Sequence, residues 1–232
     1  MGYNIIIVGC GGTGANYIVQ LGRYLYKNPV SASCTILLID GDIVEKENIS
    51  RQPFSPIDIG KKKAEVMSEI LRNAFGIESR YYPDYLLSHN ELKVFEYSDR
   101  ITILIGAVDN HACRKVLHKY FLMSENCIYL DAANEYSAGE VVMGVKVNGQ
   151  ILAHDRAHYY PEILTDKSLS KAEESCLAVN AREPQHLITN LLSAIILLKC
   201  TVEVITDSGW AGGIYYFDAF KGYSKFEEEK IC

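Results

Sequence analysis

The sequence predicts a Rossmann-like doubly wound α/β domain, with a mostly parallel sheet that continues into antiparallel strands near the C-terminus. Three observations carry this. From residue 3 to residue 132, short β-branched apolar runs alternate with segments of helical period. The first run ends in a glycine-rich turn, Gly9-Cys10-Gly11-Gly12-Thr13-Gly14, that opens a helical segment. Beyond residue 135 the pattern changes, and Asn148-Gly149, a strong hairpin signal, separates two strand-like runs.

Taken in order, Tyr3–Val8 is a buried parallel strand, because its apolar run has no polar alternation. Ala15–Tyr26 places Ile18, Leu21 and Leu25 at helical spacing. Cys34–Asp40 is a second buried strand ending in an acid, and Asp42–Asp58, with Pro53 and Pro56, is a loop. Lys62–Ala74 is a helix with Ala64, Met67, Ile70 and Leu71 inward. Glu78–Tyr82 reads as a third strand, Asn90–Tyr97 as a short helix, and Ile101–Gly106 as a fourth strand. His111–Met123 is helical, and Cys127–Ala132 is a fifth strand. Glu140–Val147 and Gln150–Ala153 form the hairpin. His154–Ser175 is polar, pattern-poor and long for a loop in a compact domain, which is the mark of a functional lid or a disordered segment. Pro184–Thr201 is a helix apolar nearly all round, hence buried. Trp210–Phe217 is a final strand, and the charged tail from Lys225 is solvated.

Composition excludes several classes. The 232 residues fit one domain, 48% hydrophobic and 22% charged, which is not a disordered chain. A net charge of −6 with dispersed cations disfavours a nucleic-acid partner. Leu191–Leu198 is too short to span a bilayer, and the chain is strand-like by Ile5, so neither a membrane segment nor a signal peptide is expected. Seven scattered cysteines without a Cys-x-x-Cys pair argue against a disulfide framework and for a reducing, cytoplasmic setting.

The glycine turn has chemical meaning because strand, turn and helix come in sequence. Glycines let the backbone approach a phosphate, and the helix N-terminus presents unbonded N–H groups and a positive dipole end. Its plainer reading is a tight turn with no ligand. Asp40 ends the second strand, where an acid reaches ribose hydroxyls, of NAD or of ATP alike; its plainer reading is a helix-capping or loop aspartate. Further along come Arg51, the run Lys61-Lys62-Lys63 and Asp109. A triphosphate calls for such cations and an acid for Mg²⁺. Taken singly, Arg51 is a surface charge, the lysines a solvated helical turn, and Asp109 an N-cap.

In combination, Gly9-x-Gly11-Gly12-x-Gly14, Asp40-x-Asp42, Asn48-x-x-Arg51-Gln52, Lys63 and Asp109-Asn110 resemble the ThiF/MoeB/E1 superfamily of ubiquitin-activating-like adenylyltransferases, with specific motifs from about residue 3 to 145. The resemblance implies one adenylation domain over 1–232. Its nucleotide-binding part is 1–135, followed by a crossover loop and C-terminal extension over 136–232. It implies that Gly9, Gly11, Gly12, Gly14, Asp40, Asp42 and Asn110 hold the nucleotide. It further implies that Asn48, Arg51 and Lys63 meet the phosphates, Gln52 supports them, and Asp109 binds Mg²⁺. The implied reaction is attack of the C-terminal glycine carboxylate of a small ubiquitin-like or sulfur-carrier protein on the α-phosphate of ATP, in a homodimer. Cys176 resembles the reactive cysteine of ThiF-type members, which would form a thioester; its alternative is an ordinary reduced thiol.

The sequence departs from the pattern in places. Members often begin with a helix that donates an arginine to the partner's ATP, and only Met1 and Gly2 precede the first strand here. The paired Cys-x-x-Cys zinc ligands are absent, so no zinc site is expected, and no separate ubiquitin-fold or catalytic-cysteine domain is visible. Cys10, Cys34, Cys113, Cys127 and Cys200 read as packing thiols. His154, Asp155 and His158 would ligate a metal only on a helix, and their segment reads as irregular. Two rival functions stand beside the enzyme: a non-catalytic E1-like recruiting subunit, and an NAD-dependent oxidoreductase resting on the glycine turn and Asp40 alone.

Overall fold

The first apolar run forms β1 (Gly2–Val8), whose Ile5, Ile6 and Ile7 have no exposed surface. Burying one such side chain stabilises the fold by roughly 1.5–3 kcal/mol. The structure is a computed structural model and describes residues 2–97, 99–168, 185–208 and 211–229. β1 is followed by β2 (Cys34–Ile39), β3 (Arg80–Tyr82), β4 (Arg100–Gly106) and β5 (Cys127–Asn134). These five strands are mutually parallel. Ile5 lies opposite Ile36 on one side and Ile103 on the other. Four antiparallel strands continue the sheet: β6 (Ala138–Val147), β7 (Gln150–Ala153), β8 (Gly213–Asp218) and β9 (Tyr223–Glu228). The spatial order is β3-β2-β1-β4-β5-β6-β8-β9, with β7 also paired to β6. The doubly wound fold with an antiparallel C-terminal part is thus as the sequence predicts.

Helices cover both faces. Along β1, Ile5 and Ile7 pack with α1 (Gly12–Leu25), α2 (Lys63–Phe75) and α7 (Leu187–Thr206), including Leu21, Met67 and Leu197. Ile6 and Val8 face the other way, with Leu117, Tyr120 and Phe121 of α4 (His111–Met123). α2 ends at Gly76, whose φ of +65° and bond to the Arg72 carbonyl make a left-handed stop. The remaining helices are short: α3 (His89–Lys93), α5 (Arg156–Tyr159) and α6 (Glu162–Thr165).

The differences from expectation have identifiable causes. The third strand and the third helix are shorter than predicted, because weak periodicity leaves ends undefined. The polar segment after Ala153 is partly ordered as α5 and α6, one-turn helices too short to show a period. The charged tail is not simply solvated, since Tyr223–Glu228 is an edge strand paired only with β8 among the described residues. The late helix is not buried all round. Ala194, Leu197, Cys200 and Val204 face the core, whereas Ile188, Leu192 and Ile195 are exposed. It is the one described helix long and apolar enough to cross a membrane, and half of it lies inside the fold.

The cysteines on strands and helices pack as expected. Cys10, Cys127 and Cys200 are buried, and Cys34 and Cys113 partly so. Burial pushes the Cys34 thiol up to about 11 and the Cys200 thiol up to about 12, which leaves them protonated and unreactive.

Candidate functional site

Because β1 pairs with both β2 and β4, the ends of three strands lie side by side, carrying Gly9, Asp40 and Val108-Asp109. In a doubly wound sheet this is where strand order reverses and a crevice opens for ligands. Gly9 has φ +98°, and a Cβ there would lie 2.4 Å from the Ala107 carbonyl oxygen. A Cβ on Gly14 would lie 1.9 Å from the Gly9 carbonyl oxygen, so α1 packs directly against the turn. Gly11 is the N-cap of α1 without a side-chain cap, and the space where its Cβ would stand is open. The first N–H groups of this fourteen-residue helix have no intrahelical or capping partner, and the backbone at Gly11 borders open space.

Asp40 stitches this turn to the next loop. Its Oδ2 accepts from the Cys10 N–H at 2.5 Å, and its Oδ1 from the Asp42 N–H at 2.8 Å. Burial pushes the Asp40 carboxyl upward and Asp42 adds to this, while Lys63 and the two N–H bonds oppose it. Lys63, at the first position of α2, is buried, and its Nζ lies 3.0 Å from Asp42 Oδ2. The Tyr85 hydroxyl donates to Asp42 Oδ1 at 2.6 Å, and its ring lies where a Gly41 Cβ would stand. Burial first, then the bond to Asp42, raises the Tyr85 hydroxyl and keeps it protonated.

Asn48 and Gln52 bond within their own loop. Asn48 Oδ1 accepts from the Glu45 N–H at 2.9 Å, and the Asn48 carbonyl accepts from the Gln52 N–H at 2.9 Å. Gln52 Oε1 is buried without a hydrogen-bond partner. Arg51 is half-buried and makes no side-chain hydrogen bond or ion pair among the described residues.

At the end of β4 the cap is Asn110, not Asp109. Asn110 Oδ1 accepts from the Cys113 N–H at 2.8 Å, while Asp109 is exposed. Asn110→Ala should lower stability in urea unfolding by about 1 kcal/mol, the usual value of an N-cap. Behind this loop, Arg114 Nη2 donates to the carbonyls of Val108 at 2.8 Å and Ala132 at 3.2 Å. Its Nε donates to Asp131 Oδ1 at 3.2 Å. Arg114 therefore pins the segment that carries Asp109.

Arg114 belongs to a buried ionic network. Asp131, 1% exposed, accepts from the Tyr129 hydroxyl at 2.7 Å, and Arg156 Nε lies 3.2 Å away without hydrogen-bond alignment. Arg156 also pairs closely with Glu140, whose other oxygen accepts from the Tyr160 hydroxyl at 2.6 Å. A second polar cluster joins α7 to the turn. Thr13 Oγ1 donates to Asn190 Oδ1 at 3.2 Å, and Asn134 Nδ2 donates to both, at 2.7 Å and 3.2 Å. Asn190 Nδ2 would touch a Gly12 Cβ at 2.3 Å.

The structure thus joins Asp40, Asp42 and Lys63 to the glycine turn and sets the Asp109 loop beside them. Asn48 and Gln52 stay within their own loop, and Cys176 lies outside the described residues. The sequence reading missed Tyr85, Arg114 and Asn190, because each acts through a partner 43 to 177 positions away or across the sheet. The one available signal was Arg114, four residues past Asn110 and so one helical turn beneath the loop.

A glycine turn at a helix N-terminus, an acid ending β2 and a lysine–carboxylate pair meet at the switch point of a domain of the doubly wound class. The family model for the ThiF family matches residues 2–221. The chain belongs to the ThiF family. Among solved structures, E. coli MccB with ATP superposes with a TM-score of 0.71 at 19% identity, covering 98% of this chain and 64% of that one. The structure of E. coli MccB with AMPCPP and MccA gives 0.70 at 18% identity, covering 99% and 64%. PaaA gives 0.70 at 18% identity, covering 100% and 65%. The chain therefore spans about two-thirds of the length of these structures. No curated protein matches it.

Proposed function

We propose that the protein uses ATP and Mg²⁺ to adenylate the C-terminal carboxylate of a small protein or peptide. The carboxylate oxygen attacks the α-phosphorus, the α–β phosphoanhydride breaks, pyrophosphate leaves and an acyl-adenylate forms. The observation that carries this reading is the open, uncapped N-terminus of α1 beside the buried Lys63–Asp42 pair. Family membership and neighbours solved with ATP, or with AMPCPP and MccA, support it. Its finer form is that the substrate ends in glycine and is ubiquitin-like or a sulfur carrier. A homodimer and a cytoplasmic setting belong to the same reading.

The residues fit a nucleoside triphosphate. The space over Gly11 admits a phosphate, whose charge the unbonded N–H groups meet. Arg51 offers a fork to phosphate oxygens, and Lys63 can turn from Asp42 to a phosphate while Tyr85 keeps its bond to Asp42. Asn48 holds the loop that carries Arg51, and Gln52 supports the same turn. Asp109 supplies a hard oxygen ligand of the kind Mg²⁺ takes, and Asn110 fixes the backbone beside it. Bound Mg²⁺ would offset charge on the phosphates and on the leaving pyrophosphate. The protein's own work is positioning and charge neutralisation. In a second step Cys176 Sγ would attack the acyl carbon, forming a thioester and releasing AMP.

The test is ATP–pyrophosphate exchange with candidate carriers and peptides. Exchange that depends on a free C-terminal carboxylate supports the reading. NAD binding without ATP binding overturns it. For the second step, a Cys176→Ala variant should keep exchange but lose a thiol-sensitive covalent adduct with the carrier. Full turnover without that thiol would remove it from the mechanism.

A further inference from the structure

We propose that His154, His158 and Glu229 form a binding site for a divalent transition-metal ion, with Zn²⁺ the species their donors suit. Each offers one ligand atom, and these atoms lie within 4.8 Å of one another. The site assembles from three parts of the chain. His154 follows β7, His158 stands on α5, and Glu229 follows β9. They converge because the Glu229 N–H donates to the Gly212 carbonyl at 3.0 Å, and Gly212 lies so close to Ala153 that a Cβ on it would be 2.0 Å away.

Asp155, the acid nearest in sequence, is not a ligand. It turns inward, and its Oδ2 meets His118 Nδ1 at 2.6 Å. Glu229 takes that place from the far end of the chain. Its carboxylate is held before any ion arrives. Oε2 accepts from the His154 N–H at 2.6 Å, Oε1 lies 2.6 Å from His154 Nδ1, and the Tyr159 hydroxyl bonds to the same carboxylate. The Tyr159 bond comes from outside the three ligands and orients the Glu229 carboxylate.

An ordinary His–Glu pair explains His154 and Glu229 but not His158. The His158 ring is exposed, yet it stacks on His154 with centroids 3.8 Å apart and planes within 13°. The stack thus brings a second imidazole up to the His154–Glu229 pair, where its ring nitrogens add to the same cluster. Zinc bonds of about 2.0–2.2 Å place ligand atoms about 3.3–3.5 Å apart around a tetrahedral ion. The cluster reaches this when the exposed His158 turns inward and the 2.6 Å contact of His154 Nδ1 with Glu229 Oε1 opens to make room for the ion. Two nitrogens and one carboxylate oxygen leave a fourth position for water. This donor set favours Zn²⁺ over the Mg²⁺ of the adenylation reading, and it replaces the expected absence of zinc with a site built without thiolates. The bound ion would staple the end of β9 to the segment between β7 and α5.

Zn²⁺ titrated into the chelator-treated full chain should show one calorimetric equivalent that excess Mg²⁺ does not displace. His158→Gln, an exposed change that leaves the fold intact, should weaken that equivalent by about 10-fold or more, and Glu229→Gln should do the same. Zn²⁺ should also raise the thermal midpoint of the wild-type chain and not that of His158→Gln. Absence of a saturable equivalent in the wild type, or wild-type affinity retained in either variant, overturns the proposal.

Discussion

Asp109→Ala is expected to lower substrate-dependent ATP–pyrophosphate exchange by about 100- to 1000-fold, the range seen when one preorganised charge-stabilising group is removed. The protein should remain folded. Asp109 is exposed, and the cap that starts α4 is the neighbouring Asn110. Helix content should therefore match wild type, since the cap of α4 is retained. Asp109→Asn keeps the size and removes the charge, so equal loss in both variants would assign the effect to charge. Exchange within a few-fold of wild type in Asp109→Ala would remove Asp109 from the machinery. Asn110→Ala provides the contrast, with a smaller change in exchange and a measurable loss of stability.

Asp131→Ala is expected to give the largest loss of stability, about 3–5 kcal/mol, because it leaves buried cationic partners uncompensated. Arg114 and Arg156 each lie 3.2 Å from the same Asp131 oxygen, and the Tyr129 hydroxyl is bonded to the other. Glu140 still faces Arg156, but Arg114 is left with only carbonyl acceptors among the described residues. For a chain of this length the thermal midpoint should fall by roughly 6–20 °C. A drop under about 1 kcal/mol would show that water reaches the arginines. Because Arg114 also holds the Val108 carbonyl, nucleotide affinity should fall even where the variant remains folded.

The parallel strands and the turn after β1 were legible because their physics is local. A strand buried on both faces must be apolar throughout, as Ile5, Ile6 and Ile7 are, and Gly9 and Gly14 stand where a side chain would strike backbone. Asp40, Asp42 and Lys63 were found through their order, and the structure shows why they come together: loop and helix fold back over one carboxylate. Long-range polar partners were not legible. Tyr85 reaches Asp42 and Glu229 reaches His154 across 43 and 75 positions, with no period to mark either pair. β9 escaped because Tyr223–Glu228 carries charge on an edge strand, which resembles a solvated tail. α7 was overread as buried because an apolar outer face has the same composition as an inner one.

The ends of the sheet bear on how the molecule behaves at high concentration. One margin is β3, only three residues long, and the other is β9, which displays Lys225, Glu227 and Glu228. A brief strand and a charged one both discourage docking of a foreign strand onto unpaired amides. Uncontrolled growth by strand addition is thereby suppressed at both margins, and concentrated solutions should stay free of cross-β aggregates while the native state persists. Clearing charge from β9 with Lys225→Val and Glu227→Val would remove that protection at one margin, without touching the crevice at the other end of the fold.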